Sequence, residues 1–137
     1  MVLAVKERLL LWGAVERGGG VKTQVLKYGR QTGDMLSMIM NNIEANSTLY
    51  TDQYGIYRKT KKMGYNHQSV NHWKKEFGRG QVHTNTIEGF WAQLKRGVLG
   101  TYNGAISPGY LQSYINEFSF RYGKPSFQIF EELMARI

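Results

Sequence analysis

Carboxylates are scarce in this sequence, and that scarcity narrows the chemistry open to it. The chain holds two aspartates, Asp34 and Asp52, and eight glutamates: Glu7, Glu16, Glu44, Glu76, Glu88, Glu117, Glu131 and Glu132. It has no cysteine, which excludes thiolate metal sites, thiol nucleophiles and disulfides together. The three histidines, His67, His72 and His83, lack the close ligand spacing of a zinc site. What remains is oxygen chemistry, in which carboxylates hold a hard cation such as Mg²⁺. Asp52 follows the apolar stretch Ser47–Thr51 and precedes Gly55. That places a carboxylate at the C-terminal edge of a strand, where α/β sheets bind ligands; a plain turn or cap role fits the same residue. Glu88 stands seven residues before Lys95, and at about 100° per residue seven steps return to nearly the same helix face. On such a face the carboxylate can hold Mg²⁺ while the lysine contacts a phosphate; an exposed acid and base is the plainer reading. Asn85, one turn earlier, either faces the same site or starts the helix.

Charge points to the partner. The formal net charge is +8 with a pI near 9.8, which favours a polyanion. Between Arg58 and Arg96 lie nine positive residues (Arg58, Lys59, Lys61, Lys62, Lys74, Lys75, Arg79, Lys95 and Arg96) against Glu76 and Glu88 alone. Segregation of this kind suits phosphate, because each phosphate neutralised by Lys or Arg releases condensed counterions from DNA. A solvated basic face gives the same pattern. Tyr54, Tyr57, Tyr65, Trp73 and Trp91 suit either base stacking or a core. There is no signal-peptide pattern, and no apolar stretch approaches the roughly 20 residues that cross a bilayer. The expectation is a soluble, cytoplasmic, nucleoid-associated protein with no membrane partner.

The elements that must position these residues follow from periodicity. Arg8–Arg17 and Val21–Tyr28, separated by three glycines, read as a β-hairpin. Thr32 can cap a helix reaching about Ala45, with Met35, Leu36, Ile39 and Ile43 at helical spacing. Ser47–Thr51 reads as a strand, Tyr54–Met63 as a helix closed by Gly64, and Tyr65–Val70 as a further strand. His72–Val82 is a basic, glycine-containing loop. Between Thr84 and Val98, Ile87, Phe90, Trp91 and Leu94 form one apolar stripe. Pro108 opens another helix through Tyr122, and Ser126 caps a last one carrying Phe127, Phe130, Leu133, Met134 and Ile137. No repeat or linker divides the chain, so residues 1–137 read as one α/β domain.

In this order, WGAVERGG, LYTDQYGIY, GYNHQSVNH, VHTNTIEGFWAQLKRGVLGTYNG and LQSYINEFSFRYG resemble the catalytic domain of ISXO-type insertion-sequence transposases. The resemblance spans nearly the whole chain. It implies an RNase H-like mixed sheet flanked by helices, with additional C-terminal helices, and a DDE-type triad using Mg²⁺, or Mn²⁺ in its place. Asp52 in TDQY matches the second acidic position. Glu88 is preferred for the third, with Asn85 kept as a candidate and Lys95 following. The resemblance also implies that the first aspartate precedes the strand matched by RLLLWGAVER, so this chain is expected to lack it together with its central strand. Asp34, on the helix after the hairpin, does not fill that place. The implied function is metal-dependent DNA cleavage and strand transfer by a parent protein, with transposon ends and target DNA as partners and self-association on DNA. The alternative is a catalytically silent DNA-binding or assembly module.

Overall fold

The computed structural model describes residues 2–6, 9–27, 31–53, 55–71, 78–101 and 106–137. The expected hairpin forms: β2 (Leu9–Val15) and β3 (Val21–Lys27) pair antiparallel from Leu9↔Lys27 to Val15↔Val21. Gly18 turns the chain at φ 74°, a conformation that costs glycine little. Successive residues of a strand point to opposite faces, and β2 uses both. Leu11 joins a core with Ile87, Phe90, Trp91, Leu94 and Ile115, whereas Leu10 and Trp12 join Met35, Ile39, Tyr57 and Tyr65. The hairpin is therefore covered on both sides, by α2 (Asn85–Arg96) and α3 (Leu111–Arg121) on one face and by α1 (Gln31–Asn42) and the helix Gly55–Met63 on the other.

A strand that the sequence reading does not assign lies at the open edge of β2. Residues Val2–Lys6 form β1, antiparallel to β2, with Val2 opposite Trp12 and an irregularity between Ala4 and Lys6. The sequence reading expects the first, central strand and its aspartate to be missing, and β1 is an additional strand beside the hairpin that carries no acid. β1 does not, however, join the hairpin to the rest of the sheet structure. The strands fall into a three-stranded sheet, β1-β2-β3, and a separate parallel pair of β4 (Thr48–Thr51) and β5 (Asn66–Ser69). On the far side, α3 blunts the β3 edge: the Val25 amide donates to Gln112 Oε1 at 2.7 Å, and Gln112 Nε2 donates to the Thr23 carbonyl at 3.4 Å.

Three helical expectations change in detail. Gly55–Met63 is a 3₁₀ helix rather than an α-helix; the fully buried Thr60 donates its hydroxyl to the Tyr57 carbonyl three residues back, and Gly64 follows at φ 90°. Thr32 lies inside the first turn of α1, which begins at Gln31, so it is not the cap. The last helix, α4 (Ser126–Met134), starts on Ser126 with Pro125 before it, and none of its residues is buried. A hydrogen bond from Lys124 to Glu132, then one from Gln128, holds the Glu132 carboxyl below its usual range. Tyr54, His72, Trp73, Lys74, Lys75 and Glu76 lie outside the described residues.

Candidate functional site

Asp52 directly follows the last residue of β4 and is partly buried. Its backbone is fixed by a buried pair that sequence reasoning misses. The Thr51 hydroxyl donates to the Asp52 carbonyl at 2.7 Å, and the same oxygen lies 2.7 Å from His67 Nε2. A hydroxyl has one proton, so with that proton on the Asp52 carbonyl, His67 Nε2–H is the donor to Thr51. The imidazole comes from the neighbouring strand, where Leu49 is opposite His67 and Thr51 opposite Ser69. Burial, and secondarily the Lys61 ammonium, holds the His67 pKa below its usual value.

A pH dependence follows. The unfolded chain takes up the proton first as pH falls through about 6.5, whereas folded His67 resists it. His67 therefore has no net effect above that pH, and stability declines below it until the folded imidazole also titrates. Urea midpoints measured across pH 7 to 5 (about the range in which histidine changes charge) are expected to fall in the parent. They should fall less steeply in His67→Gln; equal slopes would show that another group carries the effect.

Glu88 sits in the first turn of α2, partly buried, and its Oε1 accepts a 2.6 Å hydrogen bond from Thr84. Thr84 precedes the helix but makes no side-chain cap, its hydroxyl being used on Glu88 instead. Asn85 is the first residue of α2 and is exposed, and Lys95 and Arg96 are exposed in its last turn. The apolar stripe expected of this helix is buried as Ile87, Phe90, Trp91 and Leu94, which removes Trp91 from the candidates for base stacking. Among the described residues no group of three or more His, Asp or Glu side chains is placed to hold a metal ion. Asp52 and Glu88 are thus carboxylates of two separate elements.

Arg17, which the sequence marks only as a strand end, ties three parts of the site together. Its Nη2 donates to the Gln81 carbonyl at 2.7 Å and the His83 carbonyl at 3.0 Å, and its guanidinium lies 4.5 Å from the Tyr50 ring centroid. The hairpin end is thereby fastened to β4 and to the segment entering α2. No sequence signal marks this role, because it depends on contacts across more than sixty positions. Beneath it lies a cleft of about 1410 Å³ between the hairpin and β4, lined by Thr51 and Thr84 but not by Asp52 or Glu88.

The basic residues divide. Arg58, Lys59, Lys61 and Lys62 are exposed on the 3₁₀ helix. Arg79 sits in a tight turn paired with Val82 and donates to the Ser69 carbonyl at 3.2 Å. Arg58, Lys61 and Arg79 are brought together around a second pocket.

Helices on both faces of a hairpin, a parallel strand pair followed by an aspartate and a basic flank define a mixed α/β protein. The family described as the ISXO2-like transposase domain matches residues 2–123, and the chain belongs to it. Membership places it among insertion-sequence transposases, whose partner is DNA. No curated protein and no solved structure matches the chain. The family match ends before α4. No described helix is long and apolar enough to cross a membrane.

Proposed function

We propose that the chain is part of an insertion-sequence transposase with an RNase H-like frame, whose parent protein cuts element ends and joins them to target DNA by Mg²⁺-dependent phosphoryl transfer. Family membership over residues 2–123 carries this reading. The order of elements supports it: antiparallel strands, a helix, then a strand followed directly by Asp52. In this reading Asp52 and Glu88 are two of the three acidic positions, and Asn85 is the alternative to Glu88. Lys95, Arg96, the Arg58–Lys62 group and Arg79 hold phosphates and so set the position of the DNA without reading its bases. Lys74 and Lys75, which lie outside the described residues, are assigned the same phosphate-holding role by their charge.

The described carboxylates do not by themselves fit a two-metal site, which needs several converging oxygen ligands. The part assigned to this chain is therefore positioning. Thr51 and His67 fix the strand end bearing Asp52, Thr84 orients the Glu88 carboxylate, and the basic surface holds the substrate. In this reading a third carboxylate completes the metal-binding set. One observation favours a second reading, a catalytically silent DNA-binding or assembly module. Residues Val2–Lys6 take the open edge of β2, where the family resemblance puts the strand of the first aspartate, and they carry no carboxylate.

DNA binding tests what both readings share. Affinity for duplex DNA is expected to vary little with sequence and to fall steeply as salt rises. Replacing Lys59, Lys61 and Lys62 together by Gln should reduce the slope of log K against log salt by about 2 to 3, since each phosphate no longer neutralised removes about 0.9 from it. An unchanged slope would move the DNA surface elsewhere.

A further inference from the structure

A 3₁₀ helix repeats every three residues, so side chains at i and i+3 stand one above the other. Over Gly55–Met63 this sorts four cations into two lines, Arg58 with Lys61 and Lys59 with Lys62. Only the first line enters a pocket of about 450 Å³, completed by His67, Gln68 and Ser69 of β5 and by Arg79. None of these six residues is acidic. Neither Arg58 nor Lys61 has an ion-pair partner among the described residues, and like charges gathered at one wall repel until an anion joins them. Arg79 is oriented into this group by its hydrogen bond to the Ser69 carbonyl. His67 is 5% exposed, with Nε2 engaged by Thr51.

We propose that this pocket binds one phosphodiester group of a DNA strand, with Arg58, Lys61 and Arg79 as its charged partners and the polar side chains of β5 as its floor. The assignment rests on the DNA reading above and adds to it a discrete site in place of a diffuse basic face. Guanidinium forks match phosphate oxygens in pairs, and a lysine supplies a point charge, so the combination suits a tetrahedral anion. Location gives the pocket its use. Thr51 and Ser69 are opposite one another at the same end of the parallel pair, so a phosphate held over Ser69 lies at the sheet edge that carries Asp52. The pocket would then fix the distance between the bound backbone and that carboxylate.

The two lines of the 3₁₀ helix supply a matched test, since each pair removes the same charge from exposed positions of one element. Arg58→Gln/Lys61→Gln and Lys59→Gln/Lys62→Gln are compared for binding to a fluorescein-labelled duplex. In parallel, inorganic phosphate is titrated into each protein at fixed ionic strength while the His67 ring resonances are followed. The expected result is a loss of affinity about tenfold greater for the Arg58/Lys61 pair, as for the removal of one charge-assisted hydrogen bond. The phosphate-induced shift at His67 should also vanish in that pair and persist in the other. Equal DNA losses in both pairs overturn the pocket and leave the DNA reading standing, whereas no loss in either overturns both. A His67 response to phosphate with the two pairs binding DNA alike marks a site for a free anion and overturns the assignment to DNA.

Discussion

Trp91→Ala is expected to lower stability by about 3–5 kcal/mol, the usual cost of truncating a buried aromatic, and to lower the melting temperature by roughly 10–20 °C. The ring is 2% exposed and lies 5.1 Å from that of Phe90, tilted by 58°. On its other side it meets bare backbone: a Cβ added at Gly13 would come within 2.6 Å of it. Strand β2 thus omits a side chain where α2 crosses it, and a paired strand cannot move in to fill the space that a missing indole leaves. Against a typical total of about 5–15 kcal/mol, such a loss also loosens the turn that presents Glu88. Two further variants separate the causes. Trp91→Phe should cost much less, because it removes a buried indole N–H with no partner among the described residues. Gly13→Ala should destabilise by about 1–3 kcal/mol through overpacking at the same contact. If Trp91→Ala melts with the parent, the ring is at the surface in solution and base stacking becomes its better account.

The same helix shows what the sequence makes legible. The spacing of Ile87, Phe90, Trp91 and Leu94 specifies a buried stripe because helical period and burial are both local, and all four are buried. The hairpin is equally legible, since a glycine turn between two strand-like stretches brings its own partners together. Features created by distant partners are not. β1 exists only through pairing with β2, and nothing within its five residues announces that pairing. The 3₁₀ form of Gly55–Met63, within which Thr60 uses its hydroxyl on the Tyr57 carbonyl, is not revealed by the cation-rich composition. The buried link from His67 through Thr51 to Asp52 requires a strand register that brings together two residues sixteen positions apart. Residue type and scarcity accordingly suffice to find the candidate carboxylates, whereas their supports are visible in the structure alone.

Strand transfer by the chain as it stands is expected to be absent, in Mg²⁺ or in Mn²⁺. Two-metal chemistry places cations about 4 Å apart, where they repel strongly unless carboxylates lie between them. The described residues offer Asp52 after β4 and Glu88 on α2, with no third group placed to complete a set. The strand that occupies the open edge of β2 brings none, since Val2–Lys6 carries no acid. Asp34, in the first turn of α1, belongs to a different element again. In a longer parent protein that supplies the first aspartate, strand transfer should appear. Asp52→Asn or Glu88→Gln in that protein should return it to the level of a protein-free control, with DNA affinity kept within a few-fold because the phosphate-binding cations are untouched. Joined products from the 137-residue chain alone, in a gel assay with labelled element ends, would show that the acidic set is misassigned and would make Asp34→Asn the next variant to measure.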